Sequence, residues 1–562
     1  MILRSRALLS LSQYLQPPVI PPERIKQAKP PHIVVLLADD LGWGDVGWHH
    51  ASGNWTPALT ELARTGIELT RHYAYPICSP SRISFMTGRL PVHLDVSGYA
   101  WTTVLAPGDN EREYPGIPRS MTSIAEKLQE AGYVNHYVGK WDAGMATERH
   151  TPLFRGYTSF FGYFGHSIDY YTHQTINVSA NHKCENMSVV DLWDNDKPAY
   201  RVAGKNYIEE LFMDRSLQII HAHDPRVPLF LVRAFHLVHT PLQPVANRSF
   251  AFTTCEKNRA SEQGENCCTT PNERYTNMVV FLDAVVNKLV AALKARNLWQ
   301  DTLLLFTSDN GGDILQSASN FPLKGGKTSF AEGGVRVNAF LSGGFLPQHA
   351  RATKIHALVH ISDWYATFAE LAGVDASDPI AEAAGLPPVD SVSQWQVIAG
   401  HAKVARHDIY LGVDCLIFKH WKYIRNVRPK GAKEAYSEKW SGVSCKKGDL
   451  RGRKFQGGSN SIPEPCHTGC FFNIFTDPSE RNNIAMAFPT NTSNIHGQQF
   501  GGGGRLLLMD LQRRLNKLNK ANSFLAWQRE LRSRGIRPML SQSTCTAAHE
   551  YYGGFVGPVM PS

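Results

Sequence analysis

Apolar residues in this chain gather into runs that end abruptly in polar clusters. His32-Ile33-Val34-Val35-Leu36-Leu37-Ala38 is a continuous, largely apolar and β-branched run, the pattern of a strand buried on both faces in a parallel sheet, and it ends in Asp39-Asp40. The design returns at Thr302-Leu303-Leu304-Leu305-Phe306-Thr307-Ser308, which ends in Asp309-Asn310-Gly311-Gly312. It returns again from Pro228 to Val232, leading to Phe235-His236-Leu237-Val238-His239. A shorter strand, Tyr133 to Val138, delivers Gly139-Lys140-Trp141-Asp142. Helical spacing lies between these strands. Ser123-x-x-Glu126 is a capping box for a helix with Ile124, Leu128 and Ala131 on one face and Gly132 as its stop. From Met278 to Ala295, Val279, Leu282, Val286, Leu289 and Leu293 line one side of a second helix. Alternating strands and helices predict an α/β core with a mixed, largely parallel sheet, whose chemistry collects at the carboxyl ends of the strands.

The pattern changes after about residue 400. Ile417 to Ile424 and Cys470 to Phe475 read as strands of a smaller antiparallel sheet joined by Gly/Lys-rich loops. Leu508, Leu511, Leu515 and Leu518 predict an amphipathic helix packed on that sheet, preceded by a flexible loop, Gly501 to Gly504. The expected organisation is an N-terminal targeting or linker segment over 1–30, a catalytic domain over 31–400 and a smaller domain over 401–562. The chain shows no internal repeat, and no apolar run approaches a membrane span, so no transmembrane segment is expected.

Composition narrows the picture. With 43% hydrophobic and 19% charged residues the 562-residue chain is globular. Its net charge of +9, from 58 Lys plus Arg against 49 Asp plus Glu, suits an anionic substrate, and the absence of a dense basic block argues against nucleic acid. Ten cysteines, with sequons at Asn54, Asn177, Asn186, Asn247 and Asn491, point to a disulfide-bonded glycoprotein of the secretory route, lysosomal, vacuolar or extracellular. Cys255 with Cys267 or Cys268, and Cys445, Cys466 and Cys470 among themselves, are close enough to close small loops, with connectivity left open. Cys466-His467-Thr468-Gly469-Cys470 has no second Cys/His pair at zinc spacing. The N-terminus fits secretion poorly. Ala7-Leu8-Leu9-Ser10-Leu11 is a weak signal-peptide core, and a Pro-rich stretch from Pro17 to Pro31 comes after it. An organelle transit peptide, or a true start upstream of Met1, are the other readings.

The most restrictive string is Cys78-Ser79-Pro80-Ser81-Arg82 followed by Thr87-Gly88-Arg89. Pro80 suits the first turn of a helix, where the free N–H groups favour an anion. The string resembles the signature of the sulfatase family, and the likeness extends over about residues 31 to 545. It implies an alkaline-phosphatase-like fold and hydrolysis of sulfate monoesters. It also implies that a formylglycine-generating enzyme converts Cys78 to formylglycine, whose hydrated aldehyde is the nucleophile. Asp39-Asp40 and Asp309-Asn310 offer only oxygen ligands, which suit Ca²⁺ or Mg²⁺. The resemblance assigns these four, with the modified Cys78, to one cation, Ca²⁺. Arg82 is then expected to hold the formylglycine and the ligand carboxylates, and Lys140 to bridge nucleophile and sulfate. His239 is expected near the leaving oxygen, and Lys327, in Lys-x-x-x-x-Glu-Gly-Gly-Val-Arg, as the second sulfate lysine. His236 is left as structural.

One position departs from the family. The usual Gly-Lys-Trp-His is Gly139-Lys140-Trp141-Asp142 here, so either Asp142 is the base for sulfate elimination or turnover is impaired. Within the family, Phe161-Gly162-Tyr163 with Asp169-Tyr170-Tyr171, His360-Ile361-Ser362-Asp363-Trp364 and Asp477-Pro478-Ser479-Glu480-Arg481 are most similar to the arylsulfatase B (N-acetylgalactosamine-4-sulfatase) branch. The expected substrates are sulfated polysaccharides, with small aryl sulfates as artificial ones. Two rival readings are a phosphate mono- or diester hydrolase of the same superfamily and a weakly active sulfated-glycan-binding protein.

Overall fold

The apolar runs become the middle of a ten-stranded sheet in the computed structural model, which describes residues 29–49, 55–94, 116–145, 147–176, 189–246, 270–425, 469–487, 503–521 and 552–556. In chain order the strands are β1 (His32–Ala38), β2 (Ile67–Leu69), β3 (His72–Tyr73), β4 (Val134–Lys140), β5 (Ser159–Tyr163), β6 (Trp193–Asp194), β7 (Lys197–Pro198), β8 (Leu229–Ala234), β9 (Thr302–Ser308), β10 (Ala339–Ser342) and β11 (Thr353–Ile355). The sheet order is β11-β2-β10-β9-β1-β8-β4-β5-β6-β7, while β3 pairs separately with β12 (Val359–His360). Strands β9, β1, β8, β4 and β5 are mutually parallel, and antiparallel pairs flank them on both sides.

Both faces of β1 are covered, as its unbroken apolar run requires. Ile33, Val35 and Leu37 pack with Phe85 of α2 (Cys78–Thr87), Leu128 of α3 (Ile124–Glu130) and Trp364 of a helix over Asp363–Ala372. Val34, Leu36 and Ala38 face the other way, onto Leu59 of α1 (Pro57–Thr65), Phe212 of a helix over Ile208–Ala222 and Leu282 of one over Pro271–Ala295. The Ser123–Glu126 capping box is present. The helix expected from Met278 starts at Pro271, because Thr270 and Glu273 form a further capping box and proline is at home in the first turn. Strand β4 runs on to Lys140, two residues past its apolar part, because it keeps pairing with β5.

The smaller antiparallel sheet contains β13 (Asp408–Gly412), β14 (Cys415–Phe418), β15 (Trp421–Ile424) and β16 (Cys470–Asn473). Ile417 to Ile424 is a hairpin rather than one strand, since Lys419 turns the chain at φ 56°. The late helix covers Gly503–Ala521, so Gly503 and Gly504 lie within it rather than in a loop. Leu508, Leu511 and Leu515 join the core of this sheet, whereas Leu518 is 36% exposed. Tyr73, Leu90, Val92 and Val335 join that core from the larger sheet's side of the chain. Cys470 is disulfide-bonded, and Cys78 and Cys415 are free and buried. The five sequons, the other seven cysteines and the N-terminal segment through residue 28 lie outside the described residues.

Candidate active site

The parallel register puts the ends of five strands side by side. Ala38 is opposite Ser308, Leu37 and Gly139 are opposite Ala234, and Lys140 is opposite Tyr163. The segments leaving these strands therefore meet at one edge of the sheet. Successive strand residues point to opposite faces, but Asp40 sits at φ 58° and breaks the alternation, so both carboxylates reach the same side. Cys78 opens α2 above them, with Sγ 3.3 Å from Asp39 Oδ1 and 3.9 Å from Asp40 Oδ1. The segment before it is pinned by Ser81, whose Oγ accepts from Tyr75 N at 2.9 Å and donates to the Ile77 carbonyl at 3.3 Å. The Thr87-Gly88-Arg89 part of the motif closes this helix. Gly88 is left-handed at φ 69° with the Tyr365 ring 2.7 Å from where a Cβ would sit, and Arg89 is fixed on Asp378 at 2.9 Å.

Asp309 and Asn310 complete a buried set of oxygen donors. Asp309 Oδ2 accepts from Nε of the fully buried Arg82 at 2.8 Å and is ion-paired with its Nη2 at the same distance, and Arg82 Nη1 donates to the Lys140 carbonyl at 2.9 Å. Asn310 Nδ2 donates to Asp40 Oδ1 at 2.7 Å, while its Oδ1 is buried without a partner. Burial and the nearby Asp39 charge push Asp309 up to about 7. Burial opposes the Asp39 charge as well, but the Lys140 ammonium beside it holds that carboxyl well below its usual range. Three carboxylates and an orphaned amide oxygen, crowded and dry, fit a hard divalent cation. Asp39, Asp40, Cys78 and His239 also group closely enough to hold a metal ion, which adds His239 to the residues around that position.

Cationic groups point into the same space. Lys140 Nζ lies 2.8 Å from Asp39 Oδ2, and Lys327 Nζ lies 2.7 Å from Asp40 Oδ2. Burial disfavours both charges, yet Asp39 and Asp40 respectively hold the two ammonium groups above the ordinary lysine range. The Lys327 segment is tied to the segment before Cys78 through Thr328 N, which donates to the Pro76 carbonyl at 2.7 Å. His239 Nδ1 donates to the Thr240 carbonyl at 2.7 Å, which leaves Nε2 as the basic nitrogen, 3.7 Å from Asp40 Oδ2. Burial and Lys327 keep this imidazole well below its usual range, hence neutral. Burial, reinforced by Asp309 and Asp39, pushes the Cys78 thiol well above its own, so as a thiol it is a poor nucleophile. His236 is held by Tyr163 Oη at 2.8 Å and the Ile168 carbonyl at 2.9 Å, with Nδ1 4.0 Å from Asp39 Oδ2.

Asp142 also reaches the cluster. Its Oδ1 accepts from Ser79 Oγ at 2.8 Å, and its Oδ2 lies 3.1 Å from His166 Nδ1 and 3.6 Å from Lys140 Nζ. Burial opposes its charge, but His166 and Lys140 hold the carboxyl below its usual range. His166 is not expected from the sequence. Gly165-His166-Ser167 carries no motif, and only the β4–β5 pairing brings it to Asp142. Thus Asp39, Asp40, Cys78, Arg82, Lys140, Asp142, His239, Asp309, Asn310 and Lys327 are all linked in one cluster, with His166 added.

Comparison with known proteins gives one answer. A family model described as Sulfatase matches residues 31–374. Arylsulfatase J of Mus musculus is 30% identical over 476 residues, 82% of this chain and 73% of that protein. N-acetylgalactosamine-6-sulfatase of Mus musculus is 31% identical over 374 residues, 64% of this chain and 66% of that enzyme, so the match spans about two thirds of its length. Among solved structures, Ps i-CgsB in complex with k-i-k-neocarrahexaose superposes with a TM-score of 0.61 at 25% identity, covering 87% of this chain and 92% of that one. Sulfatases generally work with a formylglycine and a divalent cation. With its mixed sheet, its separate small antiparallel sheet and a family match over most of its length, the chain belongs to the sulfatase family and is a sulfuric ester hydrolase.

Proposed function

We propose that this chain hydrolyses sulfate monoesters of polysaccharides or glycosaminoglycan-like sugars at the cluster around Cys78, after a formylglycine-generating enzyme has converted that residue. The convergence of three buried or half-buried cations, Arg82, Lys140 and Lys327, on the carboxylates around Cys78 carries the reading. A sulfate ester needs such charge on its terminal oxygens, held in place before it arrives. Asp39, Asp40, Asp309 and Asn310, with the modified Cys78, would hold Ca²⁺. When bound, the cation orients the nucleophilic hydroxyl of the formylglycine and polarises a sulfate oxygen.

This chain's own residues do the remaining work. Arg82 fixes Asp309 and so keeps the oxygen donors in place. Lys140 and Lys327, both charged, bind the sulfate oxygens and draw negative charge off them as the S–O bond breaks. Lys327 and His239 stand on the leaving-group side, where the departing alcohol takes its proton. Asp142 takes part in expelling sulfate afterwards. Sulfated carbohydrate is favoured because a matched neighbour is described in complex with a neocarrahexaose and a matched relative is an N-acetylgalactosamine-6-sulfatase. The arylsulfatase B branch is our proposal from the Phe161, Asp169 and His360 strings. The disulfide at Cys470 favours an oxidising compartment, and no helix among the described residues is long and apolar enough to cross a membrane.

Mass spectrometry of the Cys78 peptide and sulfate release from a panel of sulfated oligosaccharides test the proposal together. Conversion of Cys78 with release of inorganic sulfate is the expected result. Faster cleavage of a phosphate ester than of a sulfate ester bearing the same leaving group would move the chain to phosphoryl transfer. Tight glycan binding by converted protein without sulfate release would make it a binding protein.

A further inference from the structure

We propose that Asp142 and His166 act as one unit, in which Asp142 is the positioning residue and His166 supplies the imidazole that the Gly-Lys-Trp-His histidine supplies in other family members. The inference rests on the sulfatase reading and deepens it. Asp142 is badly placed to be the base itself. Its Oδ1 is occupied by the Ser79 hydroxyl at 2.8 Å, and its Oδ2 by His166 Nδ1 at 3.1 Å with Lys140 Nζ at 3.6 Å. A carboxylate that accepts two hydrogen bonds beside an ammonium group gives up part of that stabilisation if it accepts a proton.

His166 is held in place from three sides. The β4–β5 pairing continues past the strand ends, with Trp141 N donating to the Tyr163 carbonyl at 2.9 Å and Asp142 N to the Phe164 carbonyl at 3.2 Å. Asp191 accepts from Phe164 N at 2.9 Å and Gly165 N at 2.7 Å, and Ser167 Oγ donates to the Thr240 carbonyl at 3.1 Å, beside His239. A ring nitrogen of His166, one of His239 and Cys78 Sγ lie within 4.8 Å of one another. The carboxylate can only accept, so Nδ1 carries the proton toward Asp142 and the lone pair of the neutral ring is on Nε2. Family members bring histidine directly after Gly-Lys-Trp. Here the adjacent strand end brings it, and the acid stands in the histidine's usual position.

The proton balance is simple. In the second half-reaction the hydroxyl remaining on the Cys78-derived carbon loses its proton to His166 Nε2, and the O–H electron pair becomes the second bond of the aldehyde C=O. The bond from that carbon to the sulfate oxygen breaks, and sulfate leaves with the electron pair. No electrons are gained or lost overall. The proton on His166 passes to solvent before the aldehyde is hydrated again.

The test uses the full-length, formylglycine-containing protein and two readouts. Nitrogen-15 NMR of histidine-labelled wild type should show His166 protonated at Nδ1 and unprotonated at Nε2, and Asp142→Asn should shift the ring toward the other tautomer. With an aryl sulfate, His166→Gln should release about one equivalent of phenol in a fast burst and then turn over about 10²–10⁴-fold more slowly. Adding Asp142→His, which restores Gly-Lys-Trp-His, should recover turnover at least tenfold, a rescue that a purely structural histidine does not permit. The inference is overturned by an Nε2-protonated His166 in wild type, by His166→Gln turnover within threefold of wild type, or by equal slowing of burst and steady state in a variant of unchanged melting temperature. Converted wild type that releases no sulfate would instead sink the sulfatase reading, and the NMR result would still decide how the pair is arranged.

Discussion

Buried charge is handled in opposite ways in two parts of this molecule. Around Lys422, on β15, the charges close on one another. Its Nζ lies 2.9 Å from Glu332 and 3.0 Å from Glu480, Arg336 is 3.4 Å from Glu332, and Tyr73 donates to Glu332 at 2.9 Å. Two carboxylates meet two cations, and the Glu332 amide donates to Glu480 at 2.8 Å. Around Cys78, four carboxylates, Asp39, Asp40, Asp142 and Asp309, meet three cations, Arg82, Lys140 and Lys327, and Asn310 Oδ1 has no partner. With all four carboxylates ionised, a divalent cation held there would turn that deficit of one charge into an excess of one, which the single charge of a sulfate monoester would neutralise. The closed cluster ties the small sheet to the segment around Glu332 and to the separate β3–β12 pair, while the open cluster is completed by the groups that bind to it.

The largest expected effect lies in the open cluster. Cys78→Ala should reduce sulfate release by about 10⁵-fold or more, since it removes the precursor of the nucleophile. It should leave the fold intact, because the thiol's hydrogen bonds are long ones, to Asp39 and Asp40, and alanine keeps the Cβ in place. Stopped aryl-sulfate assays and a melting curve check both halves, and near-native turnover by the alanine protein would sink the mechanism. Next in size, Asp309→Ala should lose the divalent cation and activity together, by about 10³-fold. It also strips the buried Arg82 of its main partner, so a stability loss of about 3 kcal/mol should accompany it. Metal analysis that finds unchanged stoichiometry removes Asp309 from the ligand set.

The closed cluster should respond the other way. Lys422→Met leaves Glu332 and Glu480 buried beside each other with the lysine gone, so unfolding free energy should drop by about 3–5 kcal/mol. At a temperature where the variant remains folded, kcat/KM should stay within a few-fold of wild type. Denaturant titration and aryl-sulfate kinetics on the same preparation separate the two effects. Retained stability with lost activity would erase the distinction between the clusters.

How legible each cluster is in the sequence depends on how it is built. Strands β1, β8 and β9 announce themselves as apolar runs, and the residues after them are local to those runs, so Asp39, Asp40, His239, Asp309 and Asn310 are found without a structure. Cys78, Arg82 and Lys140 stand in short strings whose spacing is itself informative. His166 has neither advantage. It lies three residues past a strand whose partner is not evident from the pattern, and only the β4–β5 register brings it 3.1 Å from Asp142. The closed cluster is equally hidden. Glu332 shares a motif with Lys327, but its partners Lys422 and Glu480 are 90 and 148 residues away. Alternation along β15 gives no hint that one lysine on it is buried.

The smallest expected effect isolates one hydrogen bond of the closed cluster. Tyr73 is fully buried, and burial together with the Glu332 charge holds its phenol above the usual range, so it is a neutral donor to Glu332 Oε2. Tyr73→Phe removes that donor and leaves no donor unpaired. The Glu332 carboxylate keeps Lys422 on Oε1 and Arg336 on Oε2, so its charge remains compensated. The loss should therefore be that of one hydrogen bond to a charged acceptor, about 1–2 kcal/mol in a denaturant midpoint with an unchanged m-value. Turnover should stay within twofold. Lys327 lies only five residues before Glu332, so this is also the most sensitive check on whether the clusters are independent. A tenfold change in kcat from loss of a single remote hydroxyl would mean that the closed cluster sets the position of Lys327, and the two could no longer be treated as separate devices.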